Sequence, residues 1–599
     1  MEGELSYWTK RRRIQQQVSV HLESLRKARE IPDIERPAHA EYSGFALQHT
    51  ENSTVCHDSE INQKTCGAVC EEEQVQERVS WYEHHPFQQP CSSGSDSDVT
   101  NSAYETKGHD YYQMSSKLAK WAVDFKISHN AINSLMEILL KYHPSLPKDA
   151  RTLLSTPRYY DIKQVAGGSY HYFGVEALLV KVLSHKLTTR TLKDGEHIVL
   201  QINIDGLPLF KSSNSQFWPI LARVSHPVES EPFIIALYCG SHKPGNVSEY
   251  LLDFVTEMNI INENGIVIDG KKLQVQVSSF VCDAPARSFV KQVKGHNAYY
   301  GCEKCTQRGV WKGKVTFPSL DASLRTDDDF KSLADEEHHY ARSPLIELGI
   351  GMVSQFPYDY MHLVCLGVTR KLIGLWIRGP VGKNCRVGSN VIQRISDDLL
   401  KYWKFLPSEF PRKCRSLAEV DRWKATEYRQ FLLYSGPIAL KDKLADDKYQ
   451  NFLDLFVGIY CLASPFYYTT HCQYAHELLC TFVQDFGRIY GSDMLVYNVH
   501  GLSHLAGDVA NFGPLDRFSA FPFENFLGKL KAKLRKPNFP VQQVICRLHE
   551  EMNALLSTEP KKHVDVEVPK HMHNNGPLPG SDDNFLSSRR SLTRNSSSQ

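Results

Sequence analysis

The chain has 599 residues, 41% hydrophobic and 23% charged, so most of it has the composition of folded domains rather than of a disordered protein. Lys and Arg total 69 against 68 Asp and Glu, and this net charge of +1 excludes a uniformly basic nucleic-acid-binding surface but not a local basic patch. The sequence contains no apolar run of the ~18–20 residues that a membrane helix needs, and its N-terminus lacks the apolar core of a signal peptide. Its 15 cysteines are too few for a chain of this length to be a disulfide-stabilised scaffold. We therefore expect reduced thiols or metal ligands in a cytosolic or nuclear protein without a membrane partner.

The first two segments differ in charge. Residues 1–35 form a basic N-terminal segment whose run Lys10–Arg13 is typical of nuclear import or DNA-backbone contact, and equally of a solvated basic helix start. Residues 36–112 are expected to be a disordered acidic linker, because 51–110 hold twelve acidic residues, three basic ones and few aliphatic ones. A zinc knuckle is the less favoured interpretation of its four cysteines, whose spacing is irregular: Cys56, Cys66, Cys70 and Cys91.

Ordered structure is predicted to resume at a helical subdomain, residues 113–194. Apolar residues recur there at helical spacing, and Ser128 is placed to cap a second helix. A third short helix is predicted before Pro157 and another at about 175–187. Three short helices could bind DNA, although packing or dimerisation is the more common role of such a group.

The hydrophobic period then changes to two, which predicts strands over the segment 195–305. In the first strand Ile198, Leu200, Ile202 and Ile204 share one face. Further strands are predicted at 217–224 and 233–240, a helix at about 247–261, a fourth strand ending at Asp283, and a helix from Ala284. The order β-β-β-α-β-α is typical of an RNase H-like core, a mixed sheet with helices on both faces.

The remainder is predicted to be mainly helical. Residues 306–499 are expected to form an all-α insertion, and residues 500–556 the last part of the interrupted α/β core. The polar tail, 557–599, is expected to be disordered.

Three acidic residues have positions suited to metal chemistry. Asp205 ends the first strand, Asp283 ends the fourth, and Glu524 lies at a predicted helix start. The ends of the first and fourth strands are adjacent in an RNase H-like sheet, and two Mg²⁺ ions about 4 Å apart need shared carboxylates. A turn or helix-cap role for each residue is the alternative.

A second set of residues has the composition of a structural zinc site. Cys302 and Cys305 are separated by two residues, and the i, i+4 spacing of His500 and His504 places both imidazoles on one helix face. Two thiolates and two imidazoles complete a tetrahedral zinc site without an open position. A solitary exposed cysteine pair and two unrelated surface histidines are the alternative.

The order Asp, Asp, Cys pair, long insertion, His pair, Glu resembles the DDE transposases of the CACTA (En/Spm) superfamily and the core of the V(D)J recombinase. The segments NIDGLPLFKSSNSQFWPIL, CDAPARSFVKQVKGHNAYYGCEKC and FPYDYMHLVCLGVTRKL are similar to the CACTA-type domain over roughly 195–535. The resemblance implies a nuclear, homo-oligomeric cut-and-paste enzyme acting on transposon ends and target DNA. It also implies Mg²⁺ or Mn²⁺ at Asp205, Asp283 and Glu524, and structural Zn²⁺ at Cys302, Cys305, His500 and His504.

Basic residues near the acidic ones are predicted to bind DNA. Arg287, one turn after Asp283, is equally compatible with a phosphate contact and with an ion pair on the helix. A basic helix after Glu524 suits DNA-backbone binding and comprises Lys529, Lys531, Lys533, Arg535 and Lys536.

For two other groups packing is favoured over chemistry. Asp359 and His362 resemble a metal pair, but their apolar context favours packing. For Trp376, Trp403 and Trp423 core packing is favoured over stacking on an extruded base.

Two alternative functions remain compatible with the same residues. One is a host-recruited, non-catalytic DNA-binding or regulatory protein that kept the transposase fold. The other is an RNase H-like nuclease without strand transfer, which would share the acidic triad but would not need the long insertion.

Overall fold

The computed structural model describes residues 114–186, 192–380, 385–407 and 409–556. The predictions for the basic N-terminal segment, the acidic linker with its cysteines and the polar tail lie outside the described residues. No helix in the described ranges is both long and apolar enough to cross a membrane.

Short helices precede the sheet. They span 114–124, His129–Leu139 and Ala150–Leu153. The predicted cap is confirmed, since the Ser128 hydroxyl accepts a hydrogen bond from the backbone N–H of Ala131 (3.2 Å). These helices share a small apolar core that includes Ile132 and Met136, both almost fully buried.

One mixed sheet contains eight strands. They are β1 Lys163–Val165, β2 Gly168–Tyr172, β3 His197–Ile204, β4 Leu207–Pro208, β5 Gln216–His226, β6 Phe233–Gly240, β7 Ile266–Ile268 and β8 Lys271–Phe280. The strand order is β1-β2-β6-β5-β3-β8-β7, with β4 added to β5. Strands β3 and β8 run parallel, whereas the other pairings in this sheet are antiparallel. The prediction of a mixed α/β chain with many helices is confirmed.

Strand β3 is buried on both faces. The apolar face packs into the core, with Ile198 and Ile204 fully buried. On the other face, the Gln201 side chain donates to the Arg517 carbonyl (2.9 Å) and the Asn203 amide donates to the Val281 carbonyl (2.7 Å). Buried polar side chains need such partners, so the late part of the chain closes over the central strand.

Three helices belong to the sheet region: Val175–Lys186, Val247–Asn264 and Ala284–Lys291. The long middle helix begins at the cap Asn246 and buries Tyr250 and Phe254 against the sheet. The last one begins directly after Asp283. The short helix therefore carries an acidic residue at the sheet edge where β3 and β8 both end.

After this region the described chain is mainly helical. The α-helices are Asp327–Lys331, Arg370–Arg378, Ser389–Tyr402, Ala425–Gln430, Gly436–Leu440, Asp446–Ala463, Cys472–Tyr490, Tyr497–Gly501, Leu505–Phe512, Phe521–Lys531 and Pro540–Leu556. Short 3₁₀ helices span Pro344–Leu348, Trp403–Phe405, Leu417–Arg422, Ser492–Met494, Leu502–His504 and Leu515–Phe518. Wider π-helical turns span Met361–Thr369 and Phe431–Ser435. A small hairpin, β9 Val310–Trp311 and β10 Val315–Thr316, interrupts the helical region.

Two of the three tryptophans considered for base stacking lie in this helical core. Trp376 is fully buried and donates to the Tyr490 hydroxyl (2.9 Å), and Trp423 is also buried. Trp403 is partly exposed and packs under the Lys413 ammonium, 3.9 Å from its ring centre. The structure thus assigns packing roles to Trp376 and Trp423.

Candidate metal centres

Two acidic residues lie at one edge of the sheet because β3 and β8 are parallel. Asp205 directly follows β3, and its carboxylate accepts from the backbone N–H of Gly206 (2.7 Å). Asp283 follows β8 by three residues, and its carboxylate caps the next helix by accepting from the Ala286 N–H (2.7 Å). Asp283 therefore caps the helix, as the alternative interpretation predicted. The cap uses one of its two carboxylate oxygens.

A third carboxylate comes from the end of the described chain. Glu524 lies in the first turn of the Phe521–Lys531 helix. Asp205, Glu524 and His362 each offer one ligand atom, and these three atoms lie within 4.8 Å of one another. Asp283 is not a member of this tight group, but its charge acts on both carboxylates.

The electrostatics of this group show that its carboxylates are crowded. Burial, with the negative charges of Asp283 and Glu524, raises the pKa of Asp205 well above its usual range. Burial also raises the pKa of Glu524, although His362 opposes the shift. Such a group is stabilised by any cation that reaches it, which is the electrostatic requirement of a divalent-metal site.

His362 already supplies one positive charge to the carboxylates. Its Nε2 lies 3.7 Å from Glu524 Oε1, and its Nδ1 lies 2.6 Å from Asp359 Oδ2. Burial lowers the pKa of His362, but the bond and charge of Asp359, with the charges of Asp205 and Asp283, outweigh burial and raise it to about 9. The neighbouring carboxylates thus favour the charged form of the imidazole.

Sequence analysis favoured packing for Asp359 and His362; this agrees with the structure for Asp359, whereas His362 lies in the acidic group. Asp359 is indeed buried, and its Oδ1 accepts from the Ala520 N–H (2.7 Å), at the start of the helix that carries Glu524. His362 lies on a π-helical segment, a geometry frequent at functional sites. The i, i+3 spacing of an acidic residue and a histidine was a signal for this site. Glu524 lies far along the chain, so the spacing alone could not show that His362 approaches it.

The second metal-ligand group is formed by all four residues predicted for it. The sulfurs of Cys302 and Cys305 are 3.4 Å apart, too far for a disulfide. Cys302 Sγ lies 3.6 Å from His504 Nε2, Cys305 Sγ lies 3.3 Å from His500 Nε2, and the two Nε2 atoms are 3.2 Å apart. A tetrahedral zinc ion with ordinary bond lengths separates its ligands by about 3.3–3.8 Å. The group therefore fits zinc in ligand type, and its spacing is close to that range.

Neighbouring residues hold these ligands in place. His500 stacks on Phe317, with ring centres 5.5 Å apart, and its Nδ1 faces the Gln307 side-chain amide at 3.3 Å. Arg325 donates to the Cys302 carbonyl (3.0 Å). Such contacts restrict the orientation of the His500 ring and of the Cys302 backbone.

The prediction that Arg287 contacts DNA is corrected by the structure. Its side chain is buried, and the guanidinium donates to the Glu303 carboxylate, the Cys282 carbonyl and the Tyr497 hydroxyl. Burial raises the pKa of Glu303, but the charges of Arg287 and Lys291 outweigh it and lower the pKa to about 2. Arg287 is therefore one member of a buried ion cluster.

The predicted basic helix after Glu524 is shorter than expected. The helix ends at Lys531, so only Lys529 and Lys531 lie on it. The Lys533 ammonium bonds the Glu551 carboxylate, which removes it from the set of free phosphate ligands. The others are exposed at the surface: Lys529, Lys531, Arg535 and Lys536. Of these, Lys529 pairs with Glu231 in an exposed contact (3.0 Å).

Comparison of the chain with models of known protein families and with curated protein sequences finds no match.

Proposed function

We propose that the chain is a divalent-metal-dependent DNA transposase, or a protein derived from one, that cleaves DNA and joins the new end to target DNA. The observation that carries this proposal is the acidic group itself. Asp205 and Glu524, with the nearby charge of Asp283, come from three separate segments and meet at the edge where β3 and β8 end. Negatively charged carboxylates that lie this close repel one another, which lowers the stability of the fold. Their proximity is therefore more consistent with metal binding than with a role in stabilising the fold.

The arrangement of the sheet supports an RNase H-like core. Strands β6, β5 and β3 are antiparallel neighbours, and β8 then pairs in parallel with β3. An RNase H-like sheet has its first strand beside a parallel fourth strand. On this proposal β3, β5, β6 and β8 are its first four strands, the helices within 306–499 form the insertion, and the helices after it, including the one that carries Glu524, belong to the core.

The residues of the acidic group fit Mg²⁺ or Mn²⁺, which prefer carboxylate oxygens. Bound there, a pair of divalent ions would supply activation of water or a 3′-hydroxyl and stabilisation of the leaving oxygen. Asp205, Asp283 and Glu524 would hold the ions. His362, oriented by Asp359, would present a positive charge to the scissile phosphate.

The Cys₂His₂ group would have a structural role in this enzyme. It joins Cys302 and Cys305, shortly after the Asp283 helix, to His500 and His504, which are separated from the Glu524 helix by two short helices. A zinc ion there would tie the two halves of the core across the helical region. The four protein ligands would leave no coordination position for substrate.

The proposal is tested by incubating the purified full chain with linear DNA that carries candidate element ends, in Mg²⁺ or Mn²⁺. We expect cleavage at the end and covalent joining of the 3′-hydroxyl to a target plasmid. Cleavage without joining would favour a nuclease that lacks strand transfer. Binding without cleavage under every metal and end tried would favour the non-catalytic, host-recruited alternative.

Replacing His362 by Gln is expected to lower the cleavage rate by about 100-fold, because the substitution removes one preorganised charge near the scissile phosphate. The glutamine has a similar size, so folding should be retained. Single-turnover cleavage at saturating Mg²⁺ measures the effect. The matched control is His549→Gln on the exposed face of the last helix, which should cleave at the wild-type rate. Equal rates for both variants would remove His362 from the site.

The exposed lysines after Glu524 are expected to contribute to binding DNA phosphates. Replacing Lys536 by Gln should reduce the slope of log affinity against log salt by about one, for any DNA sequence. Fluorescence anisotropy over a salt series measures this slope. Lys533→Gln is the control, since its ammonium is engaged by Glu551 and its loss should leave the slope unchanged.

A further inference from the structure

The two residues between the zinc-ligating cysteines are both charged and both buried. Glu303 and Lys304 are less than a tenth exposed, although residues inside a short metal-binding turn commonly face solvent. Charged side chains are rarely buried unless they are paired. Glu303 is paired with Arg287 and Lys291, and Lys304 is paired with Asp508.

We propose that Glu303 is a positioning residue for Asp283, so that the Cys₂His₂ group and the acidic group are coupled through the buried ion cluster. The inference rests on the proposed function, because it assigns a role to a residue behind the proposed metal-binding carboxylates.

Glu303 is bound to the helix that Asp283 caps. Its carboxylate accepts from Arg287 Nε (3.0 Å) and from Lys291 Nζ (2.9 Å), and these cations lie on successive turns of that helix. The Tyr497 hydroxyl also donates to it (3.0 Å), three residues before His500. One carboxylate thus joins the Asp283 helix to both sides of the Cys₂His₂ group.

Arg287 extends this connection to Asp283 itself. Its backbone N–H donates to the Asp283 carbonyl (2.9 Å), and its Nη1 donates to the carbonyl of Cys282 (3.1 Å). The peptide groups on both sides of the Asp283 side chain are therefore held by one arginine. The orientation of that arginine depends on Glu303.

Lys304 makes a parallel connection toward Glu524. Its ammonium lies 2.6 Å from Asp508 Oδ1, and the other oxygen of Asp508 accepts from the Tyr358 N–H (2.7 Å). The next residue, Asp359, accepts from the Ala520 N–H at the start of the Glu524 helix. Glu303 is therefore connected through hydrogen bonds to the segment that carries Asp283, and Lys304 to the start of the helix that carries Glu524.

The loss of the Glu303 charge should change the metal affinity of the acidic group. Arg287 and Lys291 would remain buried without their counter-charge, which is unfavourable unless the helix moves. Mg²⁺ and Mn²⁺ need their ligands in near-octahedral positions, so a displaced Asp283 would bind them weakly. Substitutions behind metal ligands commonly lower affinity by about 10–100-fold.

The test measures Mn²⁺ binding to the full chain by electron paramagnetic resonance, with zinc content determined on the same samples. We expect Glu303→Gln to retain its zinc and fold but to bind Mn²⁺ about tenfold or more weakly than wild type. The control is Glu347→Gln, an exposed carboxylate whose partner Arg342 is 3.5 Å away. The control should bind Mn²⁺ as wild type does.

The outcomes separate this inference from the proposed function. If wild type binds Mn²⁺ no better than Asp205→Asn, the proposed function fails and the inference falls with it. If wild type binds Mn²⁺ and Glu303→Gln binds it equally, only the inference is overturned. If Glu303→Gln loses zinc or does not fold, Tyr497→Phe decides: loss of its hydroxyl should weaken Mn²⁺ binding about fivefold, and unchanged binding would overturn the inference.

Discussion

Asp283→Asn is expected to lower cleavage and strand transfer by about 1,000-fold or more, because it removes a charge needed to hold two divalent ions. The variant should fold normally, since an asparagine oxygen can still accept from the Ala286 N–H and cap the helix. DNA binding should also survive, because it depends mainly on contacts between basic side chains and phosphates. Cleavage of labelled linear DNA and anisotropy on the same DNA measure the two effects.

The matched control for this prediction is Asp269→Asn at the opposite end of β8. Asp269 is exposed in the turn between β7 and β8 and has a left-handed backbone (φ 51°), which asparagine adopts readily. It should cleave as wild type does. If Asp283→Asn cleaves at the control rate, the active site lies elsewhere.

Cys302→Ser is expected to cause the largest loss of stability, because the chain would lose zinc that joins segments about 200 residues apart. We expect a zinc content near zero and a melting temperature lower by about 10 °C or more. Metal analysis and thermal unfolding measure these effects. DNA cleavage should be lost with them, since the helix that carries Glu524 begins shortly after the His504 ligand.

Cys414→Ser is the control for the zinc prediction. Cys414 is a half-buried free thiol outside both metal-ligand groups, so its replacement should leave zinc content unchanged and melting within a few degrees. Zinc retained at the wild-type level in Cys302→Ser would contradict the assignment of the Cys₂His₂ group.

The strands that carry the acidic residues could be predicted because their hydrophobic period is local. The predicted strand 233–240 matches β6, and the alternation at Ile198–Ile204 marks β3. Strands β1, β2 and β7 were not predicted, and they are only three to five residues long. Short strands depend on their partner for stability, so their own sequence carries little signal.

The candidate site was only partly predictable, for a different reason. Cysteine, histidine and acidic residues stand out by type and spacing, so both groups of ligands could be proposed. Arg287 was misassigned because its partner Glu303 lies 16 residues away and burial of an arginine leaves no mark on local periodicity. The place of His362 in the acidic group was not predicted because its contact with Glu524 joins residues far apart in the chain.

The contact between β3 and the C-terminal part of the described chain also affects when the site can form during synthesis. The hydrogen bond from Gln201 to the Arg517 carbonyl joins residues 316 positions apart. At a synthesis rate of roughly 5–20 residues per second, the ribosome needs about 16–60 s to travel between them. Throughout that interval the nascent chain lacks Glu524, whereas Asp205 and Asp283 are present for most of it. The acidic group is therefore completed only after translation has passed residue 524, so an arrested or truncated chain that ends earlier lacks the Glu524 carboxylate.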